Sequence, residues 1–61
     1  MSLDQLFRRE FFIRALITIG FIKLKTLTGF TEEHIENLAM GISEISNNEM
    51  ECIFKALAGG A

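Results

Sequence analysis

The sequence has almost none of the residues with which very small proteins usually reinforce their folds. Its 61 residues include one cysteine, Cys52, one histidine, His34, and no proline, tryptophan or tyrosine. A single thiol forms no intrachain disulfide, and a single histidine without nearby ligands makes no zinc site. A chain of this length buries only about 60% of its unfolded surface. We therefore expect it to gain stability by association with a second copy.

Signatures of catalysis and of cofactor binding are also missing. The five glycines are scattered along the chain and do not form a phosphate-binding loop. Glu33 directly precedes His34, and Glu36 lies two residues after it. Neither glutamate has the Glu-x-x-His spacing of a metal site. No nucleophile lies beside His34 in the sequence. We predict a protein that is not an enzyme and that uses no cofactor or metal.

The longest apolar segment, residues 11–22, is too short to span a membrane. Nine of its twelve residues are apolar, whereas a membrane-spanning helix needs about 20. Arg14 interrupts the segment, and no small-residue cleavage site follows it, so it is not typical of a signal peptide. Together with the unpaired Cys52, this predicts a cytoplasmic protein. A helix over residues 7–22 lying on a lipid surface is an alternative.

This apolar segment is also apolar on every side of a helix. On a helical wheel Phe12, Ile13 and Leu16 point one way, while Phe11 and Ala15 point nearly the other way. Such a helix must be covered on all sides, and a chain this short offers little else to cover it. We therefore predict a homodimer, or a higher oligomer, with an interface formed by Phe12, Ile13, Leu16, Ile17 and Leu24.

Helix starts and stops can be located from short motifs. Residues 2–5 (Ser-Leu-Asp-Gln) and 46–49 (Ser-Asn-Asn-Glu) match the capping box, and Thr31 precedes two glutamates. Gly29 and residues 59–60 are glycines that follow basic residues, as at many helix ends. These signals predict helices at about 3–28, 32–45 and 47–58. The predicted fold is a single all-α domain, a long N-terminal helix followed by a two-helix hairpin, in an intertwined or helix-packed homodimer.

Residues 17–28 also permit an alternative fold. They are rich in β-branched types, and residues 22–25 alternate apolar and basic side chains, which is typical of a strand. A strand followed by two helices resembles the ribbon–helix–helix family of dimeric repressors, and residues 30–57 resemble its helix pair. That resemblance implies paired strands that read the DNA major groove, with Lys23 and Lys25 as the reading side chains.

The charge distribution indicates where a partner could bind. Residues 1–28 carry five basic and two acidic side chains, whereas residues 29–61 carry one basic and six acidic side chains. The predicted partner surface therefore combines apolar and acidic side chains, namely Phe7, Phe11, Glu32, Glu33 and Glu36. Such a surface fits a basic groove, and we predict a protein-binding regulator, such as an inhibitor or anti-repressor that occludes a DNA-binding protein.

One charge inside the apolar segment has a special position. Arg14 lies one helical turn after Glu10, which favours an ion pair on the helix surface. We expect Arg14 to mark the exposed edge of the first helix or to pair with a glutamate of the other subunit, where it would fix the register of the dimer.

Overall fold

The computed structural model describes residues 3–60, which form four α-helices. These are α1 (Leu3–Ile19), α2 (Phe21–Thr28), α3 (Glu32–Met40) and α4 (Asn47–Gly60). The predicted all-α class is confirmed, and no strand occurs within residues 3–60. The ribbon–helix–helix alternative is wrong, because residues 17–28 are helical on both sides of Gly20. None of the helices in the described range is long and apolar enough to cross a membrane.

The predicted long helix over residues 3–28 is two helices that meet at Gly20. Gly20 has φ 88° and ψ 156°, a backbone conformation that is open almost only to glycine. Its N–H still donates to the carbonyl of Leu16 (2.9 Å), and its carbonyl accepts from the N–H of Leu24 (3.0 Å). These two bonds bridge the break between the helices, and α2 packs against α1 and α4.

The second predicted helix, residues 32–45, ends earlier, at Met40. Gly41 adopts the left-handed conformation with φ 78°. The N–H of Ile42 donates to Asn37 (2.9 Å) and the N–H of Gly41 donates to Leu38 (3.3 Å), which is the Schellman pattern of a helix end. The helix was predicted to continue to Ile45 because the apolar spacing extends that far. The side chain of Ile45 is buried in the core, but its backbone lies in a loop.

The predicted N-terminal caps of α3 and α4 are confirmed. The Thr31 hydroxyl accepts the N–H of His34 (3.1 Å). In α4 the Ser46 hydroxyl accepts the N–H of Glu49 (3.2 Å), and the Glu49 carboxylate accepts the N–H of Ser46 (2.8 Å). The capping box predicted at Ser2 lies outside the described residues. α4 also runs two residues beyond the predicted boundary, to Gly60.

The core is built around α1, which packs against the other three helices, while α4 also packs against α2. A hairpin pairing of α3 with α4 is not among the main helix contacts of residues 3–60. The buried core side chains come from all four helices and from the loop before α4: Phe12, Ala15, Leu24, Ile35, Leu38, Ile45, Ile53 and Ala56.

The dimensions are those of a single folded chain. The radius of gyration is 10.4 Å, and the scaling for compact domains gives about 10.5 Å for this length. The accessible surface is 4047 Å², and folded monomers of this mass expose about 4,000 Å². Within residues 3–60, the core side chains are thus buried in a single copy of the chain.

Candidate functional site

The residues predicted to form the dimer interface divide between two sides of the fold. Phe12 and Leu24 are completely buried in the core of the single chain, and Leu16 is half-buried against that core. Their apolar surface is covered by this chain itself, which differs from the predicted interface role. Ile13 is only half-buried and Ile17 is 77% exposed, so these two lie on the outer side of α1.

The outer side of α1 carries a continuous line of side chains with coiled-coil spacing. We name this line the outer stripe. Its side chains follow one another at intervals of three, four, three and four residues. Steps of this kind place side chains on one side of a helix, as at the a and d positions of a heptad. Leu3 is 68% exposed and Leu6 is 46% exposed. The outer stripe consists of Leu3, Leu6, Glu10, Ile13 and Ile17.

An ion pair lies at the centre of the outer stripe. Arg14 Nη2 lies 3.2 Å from Glu10 Oε1, and the two side chains are 75% and 67% exposed. The predicted pairing one turn apart is confirmed, as is the exposed position of Arg14. A pair of this kind stabilises a helix by only about 0.3–0.5 kcal/mol. Its charges are solvated and can still be shared with another molecule.

The inner side of α1 is anchored by polar side chains. The Gln5 amide accepts the N–H of Ile45 (2.8 Å) and donates to its carbonyl (3.1 Å). Arg8 donates to the same carbonyl (3.0 Å) and to Asn47 Oδ1 (2.7 Å). Arg9 donates to the backbone carbonyl of Ala39 in α3 (2.8 Å). These bonds fix the rotation of α1 and so hold the outer stripe toward solvent.

Sequence reasoning missed this anchoring role. Gln5, Arg8 and Arg9 lie on the same side of α1 as buried Phe12. Polar residues on the apolar side of a helix were a usable signal, because a buried helix face tolerates such groups only where they find hydrogen-bond partners.

The two parts of the predicted partner surface lie on different sides of α1. The ring of Phe11 packs on that of Phe54 in α4, with centroids 4.8 Å apart, and Phe7 is exposed one turn earlier. Arg9 instead bonds to α3, which carries Glu32, Glu33 and Glu36. Arg9 and Phe11 are about 200° apart around the helix. Phe7 and Phe11 therefore do not form one surface with the glutamates.

The glutamates of α3 differ among themselves. Glu32 pairs with Lys25 of α2, at an N–O distance of 3.5 Å. Glu33 and Glu36 are exposed, and Met40, 64% exposed, follows them on the same side of α3. We name Glu33, Glu36 and Met40 the acidic surface. Its charge is negative, because no lysine or arginine within α3 offsets the two glutamates.

His34 and Glu49 connect α3 to α4. His34 Nε2 hydrogen-bonds to the Glu49 carboxylate, and it is the donor because an ionised carboxylate only accepts. Burial alone would raise the pKa of Glu49, but hydrogen bonds from the Ser46 N–H and from His34 outweigh it and lower the pKa below the ordinary value. The ring of Phe30 meets that of His34 edge-on, with centroids 5.0 Å apart.

The arrangement of His34 is that of a structural contact between helices. Cys52 lies half-buried on α4 and is not in a disulfide. Among the described residues, no three side chains of His, Cys, Asp or Glu lie together as a metal site would require.

The outer stripe of α1 and the acidic surface of α3 are two candidate binding sites among the described residues. The outer stripe is apolar with a central ion pair, whereas the acidic surface carries net negative charge. Comparison with known proteins does not choose between them, because no protein-family model, no curated protein and no solved structure matches this chain.

Proposed function

We propose that the protein is a non-enzymatic, protein-binding regulator that acts as a small helical homodimer. The observation that carries the proposal is the exposure of the outer stripe on a chain whose core is already closed. Exposed apolar side chains grouped on one side of a helix mark interaction sites in soluble proteins. Its coiled-coil spacing is suited to a second helix, and the same stripe on another copy has the matching shape.

The size of the outer stripe indicates a weak dimer. α1 has 17 residues, so it is about 25 Å long. Two helices of that length bury an area at the small end of specific interfaces, below about 1,200 Å² in total. We therefore expect dissociation constants on the order of micromolar and a dimer that depends on protein concentration.

The acidic surface of α3 is the proposed site for a different protein. Glu33 and Glu36 are exposed beside the apolar side chain of Met40. This combination complements a basic surface with an apolar centre, such as the nucleic-acid-binding face of a DNA-binding protein. A dimer presents the acidic surface twice, which fits a partner that is itself two-fold symmetric. Occlusion of such a face would make the protein an inhibitor or anti-repressor.

Sedimentation equilibrium over a range of concentrations tests the dimer. Ile17→Glu places a charge in the outer stripe, and we expect it to leave a monomer at concentrations where the wild-type chain is dimeric. Ile42→Glu is the matched control, because Ile42 is 66% exposed on the loop that Gln5 and Arg8 hold against the inner side of α1. A wild-type chain that is monomeric at every concentration would overturn the proposal.

A further inference from the structure

We infer, on the basis of the proposed homodimer, that two copies pair antiparallel along their outer stripes. In this pairing Leu6 of each copy lies opposite Ile17 of the other, and Glu10 of each lies beside Arg14 of the other. The occupant of the outer stripe is thus a second copy of this chain.

The spacing of the outer stripe defines this register. Leu3, Glu10 and Ile17 occupy one class of heptad position, and Leu6 and Ile13 occupy the other. In an antiparallel pair, the a positions of one copy (residues 3, 10 and 17) lie opposite the d positions of the other (residues 6 and 13). Leu6 then faces Ile17, and Ile13 faces Glu10. The two-fold axis crosses α1 between residues 11 and 12, close to the middle of the helix, so the two copies overlap along most of their length.

The charges select this pairing over the alternatives. Parallel helices would place Glu10 opposite Glu10 of the other copy, and so would an antiparallel pairing centred on residue 10. Like charges at such positions disfavour a pairing. In the inferred register each Glu10 is adjacent to Arg14 of the other copy, and the two exposed groups can form reciprocal ion pairs. Such pairs determine orientation more than they add affinity.

The fold leaves the outer stripe accessible along its length. Gln5, Arg8 and Arg9 hold the loops and α3 against the opposite side of α1. The break at Gly20 turns α2 back onto α4 instead of continuing α1. The outer stripe therefore ends at Ile17.

Disulfide trapping tests the orientation. In a Cys52→Ser background, Leu6→Cys and Ile17→Cys chains carrying tags of different mass are mixed in a glutathione redox buffer. We expect the mixed disulfide between Leu6→Cys and Ile17→Cys to predominate over both homodisulfides. A predominance of the Ile17→Cys homodisulfide would overturn the antiparallel pairing in favour of a parallel one. Ile42→Cys measures the background of random cross-linking.

Sedimentation of the same chains under reducing conditions separates the two proposals. A reduced wild-type chain that dimerises, combined with the wrong disulfide, would overturn only the orientation. A wild-type chain that never dimerises would overturn the homodimer and the orientation together.

Charge exchange provides a second test that does not need a disulfide. In the inferred register, Glu10→Arg or Arg14→Glu alone removes both intermolecular attractions and creates repulsion. We expect each to weaken the dimer by about tenfold or more. The double variant Glu10→Arg/Arg14→Glu restores both attractions, and we expect its dissociation constant to return to within about threefold of wild type. Single variants that dimerise as well as wild type, while retaining wild-type helicity, would overturn the inference.

Discussion

The side chain of Gln5 hydrogen-bonds to both backbone groups of Ile45, forty residues further along the chain. It accepts the Ile45 N–H at 2.8 Å and donates to the Ile45 carbonyl at 3.1 Å. Ile45 is itself buried in the core, so its backbone is largely removed from water. This amide replaces the solvent at a point where no helix provides a partner, and it ties the loop before α4 to the start of α1.

We predict that Gln5→Ala lowers the free energy of unfolding by about 1–3 kcal/mol, because the buried N–H of Ile45 loses its acceptor. Asn48→Ala is the matched control, an amide truncated at an exposed position of α4, and we expect a change within about 0.5 kcal/mol. Urea denaturation followed by circular dichroism measures both. Equal losses in the two variants would contradict the anchoring role of Gln5.

The bend at Gly20 leads to a second prediction. A Cβ at Gly20 would meet nothing within 4 Å, but its φ of +88° is unfavourable for any other residue. We therefore expect Gly20→Ala to lower the free energy of unfolding by about 1–3 kcal/mol through backbone strain alone. Gly59→Ala, at a helical position with equal space, should be neutral or stabilising by up to about 1 kcal/mol. Thermal unfolding of both variants distinguishes strain from a general effect of alanine.

Gly20 also illustrates what the sequence could and could not predict. The caps at Thr31 and Ser46 were predictable because their hydrogen bonds lie within four residues of one another. The Glu10–Arg14 pair was predictable for the same reason. The break at Gly20 was not, because glycine is also tolerated inside helices, and the choice depends on whether α2 can pack against α4.

The candidate site was predictable only in part, for a related reason. Ile13 and Ile17 lie on one helix, α1, but the sequence did not show that Phe12 would be covered by this chain itself. The long-range bonds of Gln5 and Arg9 fix which side of α1 faces inward. Those partners are 30 or more residues away in the sequence, beyond the reach of periodicity.

The contact between His34 and Glu49 predicts a dependence of stability on pH. The pKa of Glu49 is lowered in the folded chain, since the Ser46 and His34 hydrogen bonds outweigh the opposite effect of burial. A lowered carboxyl pKa stabilises the fold above the unfolded value of about 4.3 and ceases to do so as the pH falls through the folded pKa. We therefore expect Glu49→Gln to be less stable than wild type at pH 7, and the difference to shrink below about pH 4.

Urea denaturation at pH 7, 5 and 3.5 measures this difference. Glu51→Gln controls for the loss of one negative charge from α4, because Glu51 is exposed on the same helix. A Glu49→Gln variant that is as stable as wild type at pH 7 would show that the negative charge of Glu49 contributes nothing to stability.

The acidic surface leads to the last prediction, which concerns a partner protein. Glu33→Lys/Glu36→Lys reverses its charge and leaves the Glu32–Lys25 pair in place. Both side chains are exposed, so we expect the fold and the homodimer to be retained.

Affinity capture from nuclease-treated lysate of the native cells should recover a stoichiometric, basic protein with the wild-type chain and lose it with this variant. Glu44→Lys/Glu51→Lys, which reverses two exposed charges elsewhere, should retain the partner. Recovery of the same protein with all three chains would exclude the acidic surface, since the charge that attracts a basic partner would have been reversed without effect.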